Sequence, residues 1–228
     1  MWQEIVNVYR DFDTFGKIDM LILALLSIYC WCFFVFKCVC FGKLEEANAR
    51  LAKRLRDFRA QFTRDFAQMY RDLPSSTETP VYRLYRAAME FLFAEGPASN
   101  SDIAQAGQIM DAALSREINE MESGLTFFSV TAMLAPMMGL FGTVWGLTLS
   151  FRGMVGSGNT TISTVAPGIS VALITTVAGL VVAIPSAAMF YYLRGRVNAQ
   201  IVLLEEFARL LTARLSRALE REQQSENN

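Results

Sequence analysis

Hydroxyl side chains are the chemically active groups in the two longest apolar stretches of this chain. Residues 125–151 and 164–193 contain no Asp, Glu, Lys or Arg, yet they carry hydroxyls, among them those of Thr143, Thr148, Ser150, Ser170, Thr175, Thr176 and Ser186. A hydroxyl can line a hydrated path or hydrogen-bond a carboxylate, but it does not titrate. It can equally bond back to the preceding helical turn or join two helices. Proton movement through these stretches would therefore need an ionisable group from elsewhere.

Small residues recur in the same two stretches at the spacing of one helical turn. The candidates for helix packing are Gly139, Gly142, Gly146, Gly179 and Ala183. Such spacing lets two helices approach closely in lipid, although it does not distinguish contacts within one subunit from contacts between subunits. Three prolines lie among them, and we expect them to break the helices or to act as hinges: Pro136, Pro167 and Pro185.

Little in the composition suggests catalysis, metal binding or nucleic-acid binding. The chain has no histidine and a net charge of −1, which removes the commonest general base and any bulk attraction to nucleic acid. Four cysteines share one apolar segment, where packing is the simplest role and metal binding or acylation are the alternatives: Cys30, Cys32, Cys38 and Cys40. We therefore expect no enzyme activity, no metal and no cofactor.

Three segments are long enough to cross a bilayer, which takes about 20 apolar residues. We predict spans at residues 18–41, 125–152 and 164–193. Charged segments alternate with them, in keeping with a mean hydropathy of only +0.28. The fold class predicted from this pattern is an all-α membrane protein, whose three transmembrane helices extend into a cytoplasmic helical bundle.

The orientation follows from Lys and Arg, which cluster after the first and third spans. Because cytoplasmic flanks are enriched in these residues, residues 42–124 and 194–228 are predicted to be cytoplasmic. Residues 1–17 and the loop 153–163 are then periplasmic. The N-terminal segment also has one apolar helical face suited to the membrane surface, formed by Trp2, Ile5, Tyr9 and Phe12.

The cytoplasmic segments have the apolar periodicity of helices. Stripes run through residues 51–73, 84–92 and 204–219, and residues 100–102 offer a cap for a helix that we expect to continue into the second span. The polar end, residues 223–228, is expected to be disordered.

A family resemblance rests on two motifs in the apolar stretches. Leu134–Gly146, with the sequence LAPMMGLFGTVWG, resembles the APxxGLFGTVWG signature of the TolQ/ExbB/MotA proton-channel motor proteins. The sequences VAPGI at 165–169, ALI at 172–174 and AIP at 183–185 resemble the third span of that family. The three-span layout agrees over nearly the whole chain, and the short N-terminal arm and the length are more similar to TolQ than to ExbB.

The resemblance implies a ring of these subunits, a pentamer in the family, around the single spans of a TolR- or ExbD-like dimer. That dimer would supply the proton-carrying aspartate, and a TolA- or TonB-like protein is a further possible partner. Matching the motifs assigns Thr143 and Thr176 to the two family threonines that face this aspartate. One departure is Val171, which stands where TolQ and ExbB proteins typically have a glutamate and MotA-type members do not.

The function implied is that of an inner-membrane stator that uses the proton-motive force to act on the cell envelope. A TolQ role would serve envelope integrity and cell division, an ExbB role would energise TonB-dependent uptake, and a gliding or flagellar-type stator is a third alternative. A passive channel or a membrane scaffold is the hypothesis from another class, and it predicts no response to the proton gradient.

Overall fold

A computed structural model of the chain describes residues 13–57, 68, 79–92, 99–157 and 161–226. In these residues the secondary structure is α-helical, without strands, and this confirms the all-α prediction. The helices are α1 (Thr14–Asp57), α2 (Pro80–Leu92), α3 (Asn100–Glu122), α4 (Leu125–Ser157) and α5 (Ile162–Glu226). The predicted surface helix with Trp2, Ile5, Tyr9 and Phe12 lies outside the described residues, as does most of the stripe at 51–73.

Helices α1, α4 and α5 are long and apolar enough to cross a membrane, which confirms the three predicted transmembrane helices. Many of their large apolar side chains are exposed in the isolated chain, as expected for helices that face lipid or other subunits. Helix α1 has 44 residues and α5 has 65. At 1.5 Å per residue both are much longer than the roughly 30 Å hydrocarbon core.

Several predicted boundaries differ from the structure. Helix α3 does not continue into α4, because the chain turns at Gly124, whose φ of 81° is unfavourable for residues with a side chain. Residues 153–157 are helical, so the connection between α4 and α5 is shorter than the predicted loop 153–163. The end expected to be disordered is helical as far as Glu226, as a continuation of α5.

The three prolines do not break the helices, so that part of the prediction is wrong. Pro136 lies inside α4, and Pro167 and Pro185 lie inside α5. A proline inside a helix removes one hydrogen-bond donor, but packing against neighbouring helices tolerates this in membrane proteins. A hinge role for these residues stays a prediction.

The chain forms two compact units, one of which comprises residues up to Lys37 together with Gly124–Leu193. This membrane unit contains the first part of α1, all of α4 and the first part of α5. Its small apolar core is formed by Leu23, Ala135, Val182 and Ala183, with Leu26, Met138 and Ala178 packed around it. Small residues in this core allow the close helix contacts that replace the hydrophobic effect in lipid.

The second unit comprises Cys38–Ser123 and Arg194–Asn228. Ser99 caps α3 in a capping box with Asp102, one residue before the predicted cap. Two polar pairs join distant segments: the Asn48 amide donates to Gln200 at 2.9 Å, and Arg83 binds Glu117 through two hydrogen bonds of 2.5 and 2.6 Å. Buried apolar residues of α2, α3 and the last part of α5 form its interior.

Candidate functional site

The backbones of α4 and α5 touch where two glycines face each other. A Cβ atom placed on Gly139 would lie 2.7 Å from the carbonyl oxygen of Thr175, and one on Gly179 would lie 2.5 Å from that of Ala135. Cβ contacts below 3.0 Å essentially never occur. Both positions therefore require glycine if the helices are to keep this separation.

The other predicted packing residues lie along the same helix pair. A Cβ on Gly142 would be 2.7 Å from the hydroxyl of Thr175, and one on Gly146 would be 3.0 Å from the Cβ of Ala172. Ala183 is buried in the core of the membrane unit. All five packing candidates thus lie at contacts within one chain, and contacts between subunits stay a prediction.

Threonine hydroxyls of α5 reach across this contact to the backbone of α4. Thr175 and Thr176 both donate to the carbonyl oxygen of Gly139, at 3.2 and 3.3 Å. Thr175 also donates to Ala172 in its own helix at 2.6 Å and is only 2% exposed. Thr143, at 8% exposure, donates to Leu140 in its own helix at 2.6 Å.

These bonds determine what the hydroxyls can still do. A hydroxyl that donates to a carbonyl keeps its oxygen free to accept. In this arrangement Thr143 and Thr176 can accept a hydrogen bond from a protonated carboxyl, but each must rotate before it can donate to a carboxylate. Thr148, Ser150 and Ser186 likewise donate to carbonyl oxygens in the preceding turn of their own helices. For these three residues the structure agrees with a local structural role rather than a role in a hydrated path.

A buried carboxylate lies beside this hydroxyl contact, and the sequence patterns do not select it. Asp19 on α1 is 4% exposed. A Cβ atom placed on Gly142 would lie 3.1 Å from Asp19 Oδ2 and 2.7 Å from the Thr175 hydroxyl oxygen, so both side chains lie against this glycine. In the described part of the chain, Asp19 Oδ2 is the one buried side-chain oxygen or nitrogen without a hydrogen bond.

The signal that indicates burial of Asp19 is its helical phase. Asp19 shares a face with Leu23, Leu26 and Cys30 at three- and four-residue spacing, and this is the face that α1 turns toward the core. The predicted first span includes Asp19, but a single acidic residue near the end of a span is usually expected to face the water at the membrane boundary. Its inward direction becomes clear only from the packing of α1.

A second carboxylate, Asp13, joins the start of α1 to α4. Asp13 accepts hydrogen bonds from the indole nitrogen of Trp145 and from the backbone of Gly16, both at 2.9 Å. Partial burial alone would raise the pKa of Asp13, but these hydrogen bonds together hold it below its usual value. The Phe15 ring packs against Phe141 and Trp145, with centroids 5.4 and 5.0 Å apart.

Cysteines and Val171 occupy positions with different surroundings. Cys30 is buried and its sulfur accepts from Ser186 at 3.4 Å, while Cys32 and Cys40 are exposed and Cys38 is half-buried. Among the described residues no group of three or more His, Cys, Asp or Glu is arranged to hold a metal. Val171 is half-buried on α5, one helical turn before Thr175.

Comparison with known proteins adds independent information on this helix pair. The family model of the MotA/TolQ/ExbB proton channel family matches residues 76–206, which include α2, α3, α4 and the first part of α5. The Tol-Pal system protein TolQ of Pseudomonas aeruginosa is 34% identical over 196 residues, covering 82% of this chain and 79% of that protein. The biopolymer transport protein ExbB of Salmonella typhimurium is 28% identical over 219 residues, covering 87% and 85%. The Tol-Pal system protein TolQ of Haemophilus influenzae is 43% identical over 90 residues, 40% of each chain.

Proposed function

Because the chain belongs to the MotA/TolQ/ExbB proton channel family, we propose that it is a TolQ-type stator subunit of a motor driven by the proton-motive force. It is a multi-pass inner-membrane protein of the TolQ/ExbB energiser type. In the proposed complex, a ring of these subunits surrounds a TolR- or ExbD-like single-span dimer. The ring transmits energy to the envelope and catalyses no covalent reaction.

The observation that carries this proposal is the family match over the contact between α4 and α5. That contact holds the hydroxyls of Thr175 and Thr176, and Thr143 follows Gly142 of the same contact in α4. The segments of α4 up to Phe151 and of α5 up to Leu193 contain no Asp, Glu, Lys or Arg. Since α4 and α5 supply no ionisable group of their own here, we propose that the single-span partner brings the transported charge to these hydroxyls. One face of α4 remains exposed for neighbouring subunits, the partner or lipid: Met133, Met137, Leu140 and Val144.

The proposed step is protonation of the partner's membrane aspartate next to the threonines. Once neutral, the acid can donate to the oxygen of Thr143 or Thr176, whose own hydrogens point at backbone carbonyls. Neutralisation also lowers the cost of moving the partner helix within the apolar ring. The membrane potential contributes about 2.3 kcal/mol per charge for each 100 mV.

We also propose that the N-terminus is periplasmic and the C-terminus cytoplasmic, since Lys and Arg cluster after the first and third spans. Cysteines introduced by Ser157→Cys and Ser225→Cys in a background without the four native cysteines test this with a membrane-impermeant thiol reagent. Ser157→Cys should react in intact spheroplasts, and Ser225→Cys only after permeabilisation. The opposite pattern would reverse the orientation.

The function itself is tested by deleting the gene in its host and complementing it. A TolQ role predicts leakage of periplasmic enzymes and chained cells, both reversed by the gene. The ExbB role, favoured by the 28% identical ExbB relatives, predicts instead a loss of TonB-dependent uptake with an intact envelope. Complementation that survives dissipation of the proton gradient, or that needs no single-span partner, would point to a passive channel or scaffold.

A further inference from the structure

Asp19 is a titratable group in the membrane unit for which the proposed function has no use. It lies in the membrane-spanning part of α1 and is buried by its own chain, next to Gly142 of α4, against which the Thr175 hydroxyl of α5 also lies. Because these contacts are made within one chain, the site is complete in each subunit. A buried carboxylate of this kind is expensive unless it is paired or neutralised.

No opposite charge is available to pair with Asp19 in the described surroundings. The facing segments of α4 and α5 have no Asp, Glu, Lys or Arg between Leu125 and Phe151 or between Val165 and Leu193. On its own helix, Lys17 is two positions away and so points to another side. Asp13 is engaged by Trp145 and Gly16.

The neighbouring hydroxyl suits a neutral carboxyl. Thr175 uses its hydrogen for the carbonyls of Ala172 and Gly139, so its oxygen can only accept. Since both groups lie against Gly142, a protonated Asp19 that turns toward this oxygen can donate to it, whereas a charged Asp19 would face a second acceptor. The surroundings therefore favour the form of Asp19 that carries a proton.

We propose that Asp19 is a proton-binding group of each stator subunit, in addition to the aspartate of the partner. A proton adds to a carboxylate oxygen to form the O–H that donates to Thr175, and its release restores the carboxylate. The proton exchanges with water at the start of α1, which is about 8 Å away along the helix. Proton binding is a property of this chain alone, while its role in transport rests on the proposed function.

The first experiment is an infrared pH titration of the full-length protein in lipid, without a partner. The wild type should show the carbonyl band of a protonated carboxyl that Asp19→Asn lacks and that Asp19→Glu shifts. Glu46→Gln, which removes an exposed carboxylate from the second unit, should leave that band unchanged. Superimposable spectra of wild type and Asp19→Asn over the whole titration would overturn the proposal.

The second experiment measures proton flux into liposomes that contain the complex with its single-span partner, under an imposed potential. Asp19→Asn should lower the flux by roughly tenfold or more and flatten its pH profile, while Asp19→Glu keeps part of it. Glu46→Gln should match the wild type. Full flux in Asp19→Asn would refute a role in transport, whereas no flux in the wild type would refute the proposed function and leave the infrared result to decide proton binding.

A purely structural role makes a different prediction for stability. If Asp19 were needed for folding, Asp19→Asn would lower the melting temperature of the assembled protein. If Asp19 is a proton site held without an ion pair, the neutral variant should be at least as stable as the wild type, because no buried charge remains to be compensated. A destabilised Asp19→Asn that keeps the wild-type flux would assign the residue to packing alone.

Discussion

Gly139→Ala tests the contact between α4 and α5 with a single added methyl group. The new Cβ would lie 2.7 Å from the Thr175 carbonyl oxygen and 3.0 Å from the Thr176 Cα, against 3.4 Å or more for ordinary contact. Both neighbours are backbone atoms, so the helices must separate. Overpacking of this kind costs about 1–3 kcal/mol, and the higher helix propensity of alanine returns up to about 1 kcal/mol.

The net loss expected for Gly139→Ala is thus on the order of 1–2 kcal/mol, with a shift of roughly 2–4 °C in melting temperature per kcal/mol. Gly153→Ala is the matched control, since Gly153 is in the same helix and its Cβ would meet nothing within 4 Å. The control should be neutral or slightly stabilising. Thermal unfolding of both variants in the same detergent is the assay, and equal melting temperatures would show that α4 and α5 are not in contact at Gly139.

Three further predictions concern the polar residues around this contact. Thr143→Val with Thr176→Val should preserve ring assembly but slow the proton step by several-fold to about tenfold, because a hydrogen bond from the neutral acid to a threonine oxygen contributes about 0.5–1.5 kcal/mol. Asp13→Asn should lower the melting temperature at neutral pH, and the difference from the wild type should vanish on acidification. The pKa of Asp13 is lower in the folded protein than its usual value, so the stabilisation by the Asp13 carboxylate is complete above the usual carboxyl pKa. It is lost as the pH falls through the pKa of Asp13 in the folded protein. Val171→Glu, introduced together with Asp19→Asn, should restore part of the proton flux.

The threonine prediction has a control variant, and the threonine and Asp13 predictions each have a result that would contradict them. Thr148→Val removes an exposed hydroxyl that also bonds its own helix, and it should be silent. Full activity of the Thr143 and Thr176 double variant would make both threonines packing residues. A melting difference for Asp13→Asn that persists in acid would rule out the Trp145 hydrogen bond as its cause.

The sequence predicts the fold to the extent that apolar periodicity and span length determine it. Few soluble folds contain two uncharged stretches as long as 125–151 and 164–193, and α4 and α5 contain them. The α3–α4 junction could not be predicted in the same way. The sequences on both sides of Gly124 have the apolar periodicity of a helix, which predicts one continuous helix. The turn at Gly124 depends on its positive φ, and the apolar periodicity does not indicate this φ.

The site was harder to predict than the fold, for a related reason. Hydroxyls and small residues on α4 and α5 can be found from spacing, but the partner of each hydroxyl depends on helix rotation. Thr176 was singled out by its motif, whereas the structure gives the adjacent Thr175 the deeper burial and the greater number of hydrogen bonds. Asp19 belongs to a different helix, and its position beside Gly142 is a tertiary property that no local pattern contains.

Asp19 and Val171 approach the same part of the membrane unit from different helices. Val171 precedes Thr175 by four residues of α5, about 6 Å along the axis. Asp19, on α1, lies against Gly142, as the Thr175 hydroxyl does. A carboxylate at either position would be near the Thr175 oxygen, but two at once would repel each other in an apolar environment. The presence of valine at 171 is therefore physically consistent with an acid at 19. The two positions should be energetically coupled. Val171→Glu should therefore lower the proton flux of the wild type and raise that of the Asp19→Asn variant, which lacks the carboxylate at position 19. Equal effects of Val171→Glu on flux in the two backgrounds would show that the carboxylates act at separate sites.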